Sequence, residues 1–147
     1  MSIGRWRLRA RHLDVLARGY AESLSAQWRA SGLEVSLIEC ISATGEPERL
    51  VLTARSALAV LICNCQSWLY GPPWFGRPFW TVRVSVRRLD RVLDGGGTAP
   101  RVLGVAAAAD HQQAWQSVLD WIEGRGSLHA DLSVGLAAVY DRELLRR

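Results

Sequence analysis

Three cysteines and three histidines are the residues of this chain best suited to act as nucleophiles, bases or metal ligands. Cys63 and Cys65 are separated by one residue, whereas structural zinc sites use pairs separated by two to four. The sequence carries no signature of a zinc protease, a zinc deaminase, an α/β-hydrolase or a phosphate-binding loop. We therefore expect no metal and no cofactor, and we interpret the cysteines as small core residues.

An enzyme is still one of three hypotheses for the function, because catalytic residues need not be near each other in sequence. Such a site would form around Cys65, His129 or Asp131. His129 and Asp131 have no nucleophile at a recognisable spacing. We expect a chain without enzymatic activity.

The stretch WLYGPPWFGRPFW, residues 68–80, holds six of the twelve aromatic residues and three of the five prolines. Aromatic side chains on rigid turns lose little conformational entropy on binding and dominate interface hot spots. One hypothesis is a docking loop for another protein, anchored by Trp74, Phe75, Arg77 and Phe79. The alternative is that the same aromatics fold back over the sheet edge and close the core.

Residues 79–89 give the clearest strand pattern, in which apolar residues alternate with hydroxyl and arginine residues. Arg83 and Arg87 fall on the polar side of this strand. We predict that they steer an acidic protein partner. The alternative is an ordinary solvated sheet face.

The N-terminal RWRLRAR alternates arginine with apolar residues. Arg5, Trp6, Arg7 and Arg9 could track nucleic-acid phosphates, with the tryptophan stacking on a base. The competing interpretation is an edge strand or a helix start with solvated arginines. Nucleic acid is therefore the less favoured partner.

The other segments predict an amphipathic helix over 10–30 and strands over 33–41, 49–54 and 101–106. The apolar run 56–67 fits either a short helix or a strand, and its β-branched residues favour a strand. Two helices follow, with Asp110 and Ser127 as N-cap residues and Gly124 ending the first.

Consecutive strands joined by short turns predict an α+β fold with a mainly antiparallel sheet of three to five strands. An N-terminal helix precedes the sheet, and two C-terminal helices pack on one face. At 147 residues the chain suits a single domain, 1–147.

All 18 basic residues are arginine, which indicates a GC-rich coding sequence and a bacterial origin. No apolar run approaches the ~18–20 residues of a membrane span, and no signal-peptide core follows the N-terminal arginines, so we expect a cytoplasmic protein. The net charge of +4 suits an acidic partner. The favoured function is a non-enzymatic protein-binding module of a bacterium: an immunity protein, a secretion chaperone or an assembly adaptor. The docking surface could also form a homodimer.

Overall fold

The computed structural model describes residues 7–71, 76–89 and 99–145. In this part of the chain six strands form one antiparallel sheet, accompanied by three helices. The strands are β1 (Arg7–Arg11), β2 (Glu34–Ile41), β3 (Pro47–Arg55), β4 (Ala59–Gly71), β5 (Arg77–Arg88) and β6 (Arg101–Ala108). The helices are α1 (Val15–Ala30), α2 (His111–Ile122) and α3 (Leu132–Leu145).

Strand β4 is the centre of the sheet, which runs in the order β2-β3-β4-β5-β6. Its N-terminal half pairs with β3, and its C-terminal half pairs with β1 on the same side. The strand interpretation of the run 56–67 is thereby confirmed from Ala59 onwards. The α+β class and the mostly antiparallel sheet are confirmed as well, but the sheet has six strands and not three to five.

Alternation along the strands divides the sheet into two faces. One face, here called the closed face, packs against α1 and α2 through an apolar cluster. Its strand residues include Leu50, Leu52, Cys63, Cys65, Val82 and Val84, and the helices contribute Ala17, Leu24, Trp115 and Val118. All of these side chains are buried.

Helix α3 lies on the opposite face, so the prediction that both C-terminal helices share one face is wrong. Its Val139 packs against Phe79 of β5 and Ala107 of β6. The chain reaches this face by passing along the edge of β6, where Val105 and His129 exchange two backbone hydrogen bonds of 2.8 Å. Periodicity gives the apolar side of a helix but does not say which sheet face it meets.

The helix caps explain where the helices begin. Asp131, not Ser127, caps α3, because its Oδ1 accepts a hydrogen bond from the backbone N–H of Val134 at 2.9 Å. Asp110 caps α2 as predicted, and its carboxylate accepts from the N–H of Gln112. Gly124, just beyond α2, has a φ of +81°, which suits its predicted role as the helix stop.

The N-terminal order also differs from the prediction, because β1 precedes the first helix. Asp14 caps α1 by accepting from the N–H of Ala17. Arg18 bonds to Glu39 of β2 at 2.6 Å. Leu16, in the first turn of the helix, is 75% exposed. No helix in the described ranges is long and apolar enough to cross a membrane.

Candidate binding surface on the open sheet face

The segment 68–80 is mostly two paired strands and not a wide loop. Trp68 and Tyr70 lie in β4, and Phe79 and Trp80 lie in β5. Trp68 is paired with Phe79 in register, and their rings stack with centroids 6.4 Å apart. Trp80 points to the closed face, where its ring meets His111 edge-on at 5.3 Å. Four of the six aromatics are therefore part of the packed sheet.

The predicted anchors of a docking loop lie in different environments. Phe79 is 2% exposed and packs against Val139 of α3, so its side chain is not accessible to a partner as an anchor. Trp74 and Phe75 lie outside the described residues. Arg77 is half-buried as the first residue of β5. Docking through the connection itself stays a prediction.

The N-terminal arginines belong in part to a strand. Arg7 and Arg9 lie in β1, which pairs with the C-terminal half of β4, and the Arg9 side chain is exposed. The edge-strand interpretation is confirmed for residues 7–11. Arg5 and Trp6 lie outside the described residues, and nucleic-acid binding through this arm stays a prediction.

The three residues of the enzyme hypothesis are not brought together. Cys65 is fully buried on the closed face, and desolvation raises its pKa to about 12. His129 lies at the edge of β6, and Asp131 caps α3 on the other side of the sheet. In the described ranges no group of three His, Cys, Asp or Glu residues could hold a metal ion.

Among the described residues, α3 covers the face opposite the closed face over β5, β6 and the C-terminal half of β4. We call the part that no described helix covers, over β2, β3 and the N-terminal half of β4, the open face. Its centre is apolar and includes Val51, Val60 and Ile62, all half-buried. Ile38 of β2 lies beside Val51 and is 53% exposed.

Four exposed arginines surround this apolar centre. Arg55 and Arg87 lie in one row of the sheet, each in register with Val60 of β4 between them. Arg49 and Arg83 lie towards the other end, in register with Gln66 and Asn64 respectively. We call this surface, the three apolar residues of β3 and β4 and the four arginines, the arginine-framed patch. Among the described residues of β2–β5, the acidic residue beside this patch is Glu34, which pairs in register with Arg55.

The patch ends in a cleft of about 500 Å³ between the sheet and the start of α3. Its floor is polar and comes from the central strand through Asn64 and Gln66. The apolar walls are Trp68, Val102, Val105 and Leu132; the charged and remaining lining residues are Arg49, Arg83, Asp131, Thr81 and Ala130. The cleft therefore combines an apolar body with a few convergent polar groups, the usual composition of a ligand site.

Some of these polar groups are satisfied and others are not. The indole N–H of Trp68 donates to the hydroxyl of Thr81 at 2.9 Å, which fixes the wall of the cleft. The buried Oδ1 of Asn64 has no hydrogen-bond partner within the described ranges. Neither Arg49 nor Arg83 forms an ion pair with another described residue.

Sequence reasoning found Arg83 and Arg87 but missed the rest of this surface. A signal was present: Asn64 and Gln66 interrupt an apolar run with amides two residues apart, which places both on one face of a strand. Arg49 gave no signal, because its position beside Gln66 depends on the register between β3 and β4.

Comparison with known proteins finds no family model that matches the chain and no matching curated protein or solved structure. The surface must therefore be interpreted from its own geometry and charge.

Proposed function

We propose that this chain is a non-enzymatic protein-binding module that docks an acidic protein on its open face. The supporting observation is the arginine-framed patch: an apolar centre on one sheet face with Arg49, Arg55, Arg83 and Arg87 around it. Ile38 beside this centre is 53% exposed, and apolar side chains grouped on an accessible face often mark an interaction site. Arginines at the rim of such a surface orient an acidic partner and speed its association.

The composition of the patch favours an acidic protein over a second copy of the chain and over single-stranded nucleic acid as its occupant. A second copy of the chain docked face to face would set arginines against arginines, which costs several kcal/mol. Single-stranded nucleic acid needs exposed aromatic rings for base stacking. The aromatic residue nearest the patch in the described ranges is Trp68, which is half-buried and stacked on Phe79. An acidic protein meets neither difficulty.

Within a bacterial cytoplasm, the roles that fit are an immunity protein covering a toxin, a chaperone for a secreted protein and an adaptor in a larger assembly. Each needs a rigid surface of fixed charge and no catalytic residues.

The test compares capture from the native cell by the intact protein and by an Arg55→Glu/Arg87→Glu variant. Both substituted side chains are exposed, so the variant should keep its fold by circular dichroism. Arg101→Glu is the control for a charge reversal outside the patch, because Arg101 is exposed and lines neither the patch nor the cleft. The proposal expects one acidic protein that the intact protein and the Arg101 variant capture and the double variant loses.

Binding is then measured with the purified partner. The double variant should bind at least about tenfold more weakly, and the affinity of the intact protein should fall with added salt. A partner that the double variant binds with unchanged affinity would place the docking surface elsewhere. Capture of nucleic acid instead of protein would favour the N-terminal arginines.

A further inference from the structure

The cleft at the end of the patch is large enough to be a ligand site in its own right. Pockets for small organic molecules occupy about 300–1,000 Å³, and this cleft is about 500 Å³. Three parts of the chain build it: the face of β3–β5, strand β6 and the segment that leads into α3. We propose that it binds a small organic acid, at a site that shares Arg49 and Arg83 with the patch but does not require the protein partner proposed above.

Two arginines provide the charge for an anion. Arg49 on β3 and Arg83 on β5 lie on either side of β4 and are offset by two residues along it, so their backbones are about 12 Å apart. Both line the cleft, and neither is paired with a carboxylate of the described residues. Arginine forms two parallel hydrogen bonds to a carboxylate, which makes this pair suited to hold one over the floor of β4.

The amides of the floor complete the polar part of the site. Asn64 lies beside Arg83 in register, and Gln66 lies beside Arg49. The buried and unpartnered oxygen of Asn64 means that one polar group of the site is unsatisfied in the free protein. A ligand that draws the neighbouring arginine over the amide would relieve that cost.

Asp131 makes the cleft less favourable for a phosphate than for a carboxylate ligand. It lines the same cleft, and its carboxylate is committed to the N-cap of α3. Phosphate sites at helix N-termini leave the first backbone N–H groups free for the ligand, whereas here an acidic side chain occupies that of Val134. Its negative charge opposes a dianion more strongly than a monoanion.

The walls define the rest of the ligand. Trp68 is held in place by its hydrogen bond to Thr81, and Val105 and Leu132 provide apolar surface beside it. A flat or aliphatic body attached to the carboxylate would fill this part of the cleft.

The test follows ¹⁵N–¹H spectra of the full chain during titration with 2-naphthylacetate, 3-phenylpropionate, octanoate and inorganic phosphate. The indole N–H of Trp68 and the side-chain amides of Asn64 and Gln66 are the reporters. At least one organic acid should move these three signals at or below about 10 mM, and its neutral amide should bind at least about tenfold more weakly.

Arg49→Ala and Arg83→Ala should each weaken the acid by about tenfold or more, because each removes a charged hydrogen bond. Arg55→Ala is the matched control, since that arginine is exposed on the same face but does not line the cleft. The inference is overturned if no acid moves the three signals, if the amide or phosphate binds as tightly as the acid, or if Arg55→Ala weakens binding equally.

Discussion

The two faces of one sheet have opposite chemistry, although the same strands build both. On the closed face, α1 and α2 cover Cys63 and Cys65 of the central strand completely. On the other face, the neighbouring Asn64 and Gln66 line a cleft that α3 only partly covers. A strict alternation in one strand thus separates a buried core from a face that stays partly accessible to solvent.

The difference also concerns where stability resides. The closed face is filled by Trp115 and by branched strand residues that are inaccessible to solvent, so substitutions there should be costly. The open face carries half-buried valine and isoleucine and exposed arginines, which can change without loss of the fold. Stability and binding should therefore be separable by mutation.

Trp115→Ala should give the largest loss. The indole is fully buried at the centre of the closed face, so its removal should lower the free energy of unfolding by about 3–5 kcal/mol. Ile38→Ala on the open face, where the side chain is 53% exposed, should cost below about 1 kcal/mol. Urea denaturation measures both. Equal losses would mean that the two faces contribute alike to stability.

Much of the closed face is predictable from sequence, because strand alternation and helix periodicity both identify apolar sides. These patterns place Val82 and Val84 on the apolar side of β5 and Trp115 and Val118 on that of α2, and all four are buried. Local chemistry also gave Asp110 as a cap and Gly124 as a stop. These features depend on near neighbours in the chain.

The open face depends on contacts between distant segments, which a single sequence does not specify. Arg49 and Arg83 share a cleft because both β3 and β5 pair with β4 in a particular register. Residues 130–132 cover one side of the cleft because the chain crosses the edge of β6 before α3 begins. The exposed polar face of β5 was predicted, but Thr81 is 4% exposed, because Trp68 bonds to it on the side that α3 covers.

A substitution at Gly104 should disrupt the packing of the 128–129 segment along the edge of β6. A Cβ added there would lie 2.5 Å from the Cβ of Leu128 and 2.9 Å from the carbonyl oxygen of His129, in the segment that leads to α3. The backbone φ of +157° is also unfavourable for other residues. Gly104→Ala should lower the free energy of unfolding by about 1–3 kcal/mol and alter the cleft.

Gly19→Ala is the control for this substitution. Gly19 lies within α1, where an added Cβ meets nothing within 4 Å. Alanine is the better helix former, so this variant should gain about 0.5–1 kcal/mol. Thermal unfolding of the two variants should therefore shift in opposite directions. A neutral Gly104→Ala would show that the 128–129 segment does not depend on close approach to β6.

Alkaline pH should lower the free energy of unfolding through the closed face, because that face holds two thiols that burial keeps protonated. Desolvation raises the pKa of Cys63 and of Cys65 from 9.0 to about 12, so above pH 9 the unfolded chain releases protons that the folded chain retains. The thiols' contribution to stability is therefore complete below pH 9. It is lost as pH rises towards 12, by about 1.4 kcal/mol per pH unit for each thiol.

The measurement is the slope of unfolding free energy against pH between 9 and about 11, from urea denaturation. Cys63→Ala and Cys65→Ala should each reduce that slope, whatever they cost in stability at neutral pH. Val84→Ala removes apolar volume from the same face without removing an ionisable group, so its slope should equal that of the intact protein. Unchanged slopes in both cysteine variants would mean that solvent reaches the thiols, and that the closed face is less closed than its packing indicates.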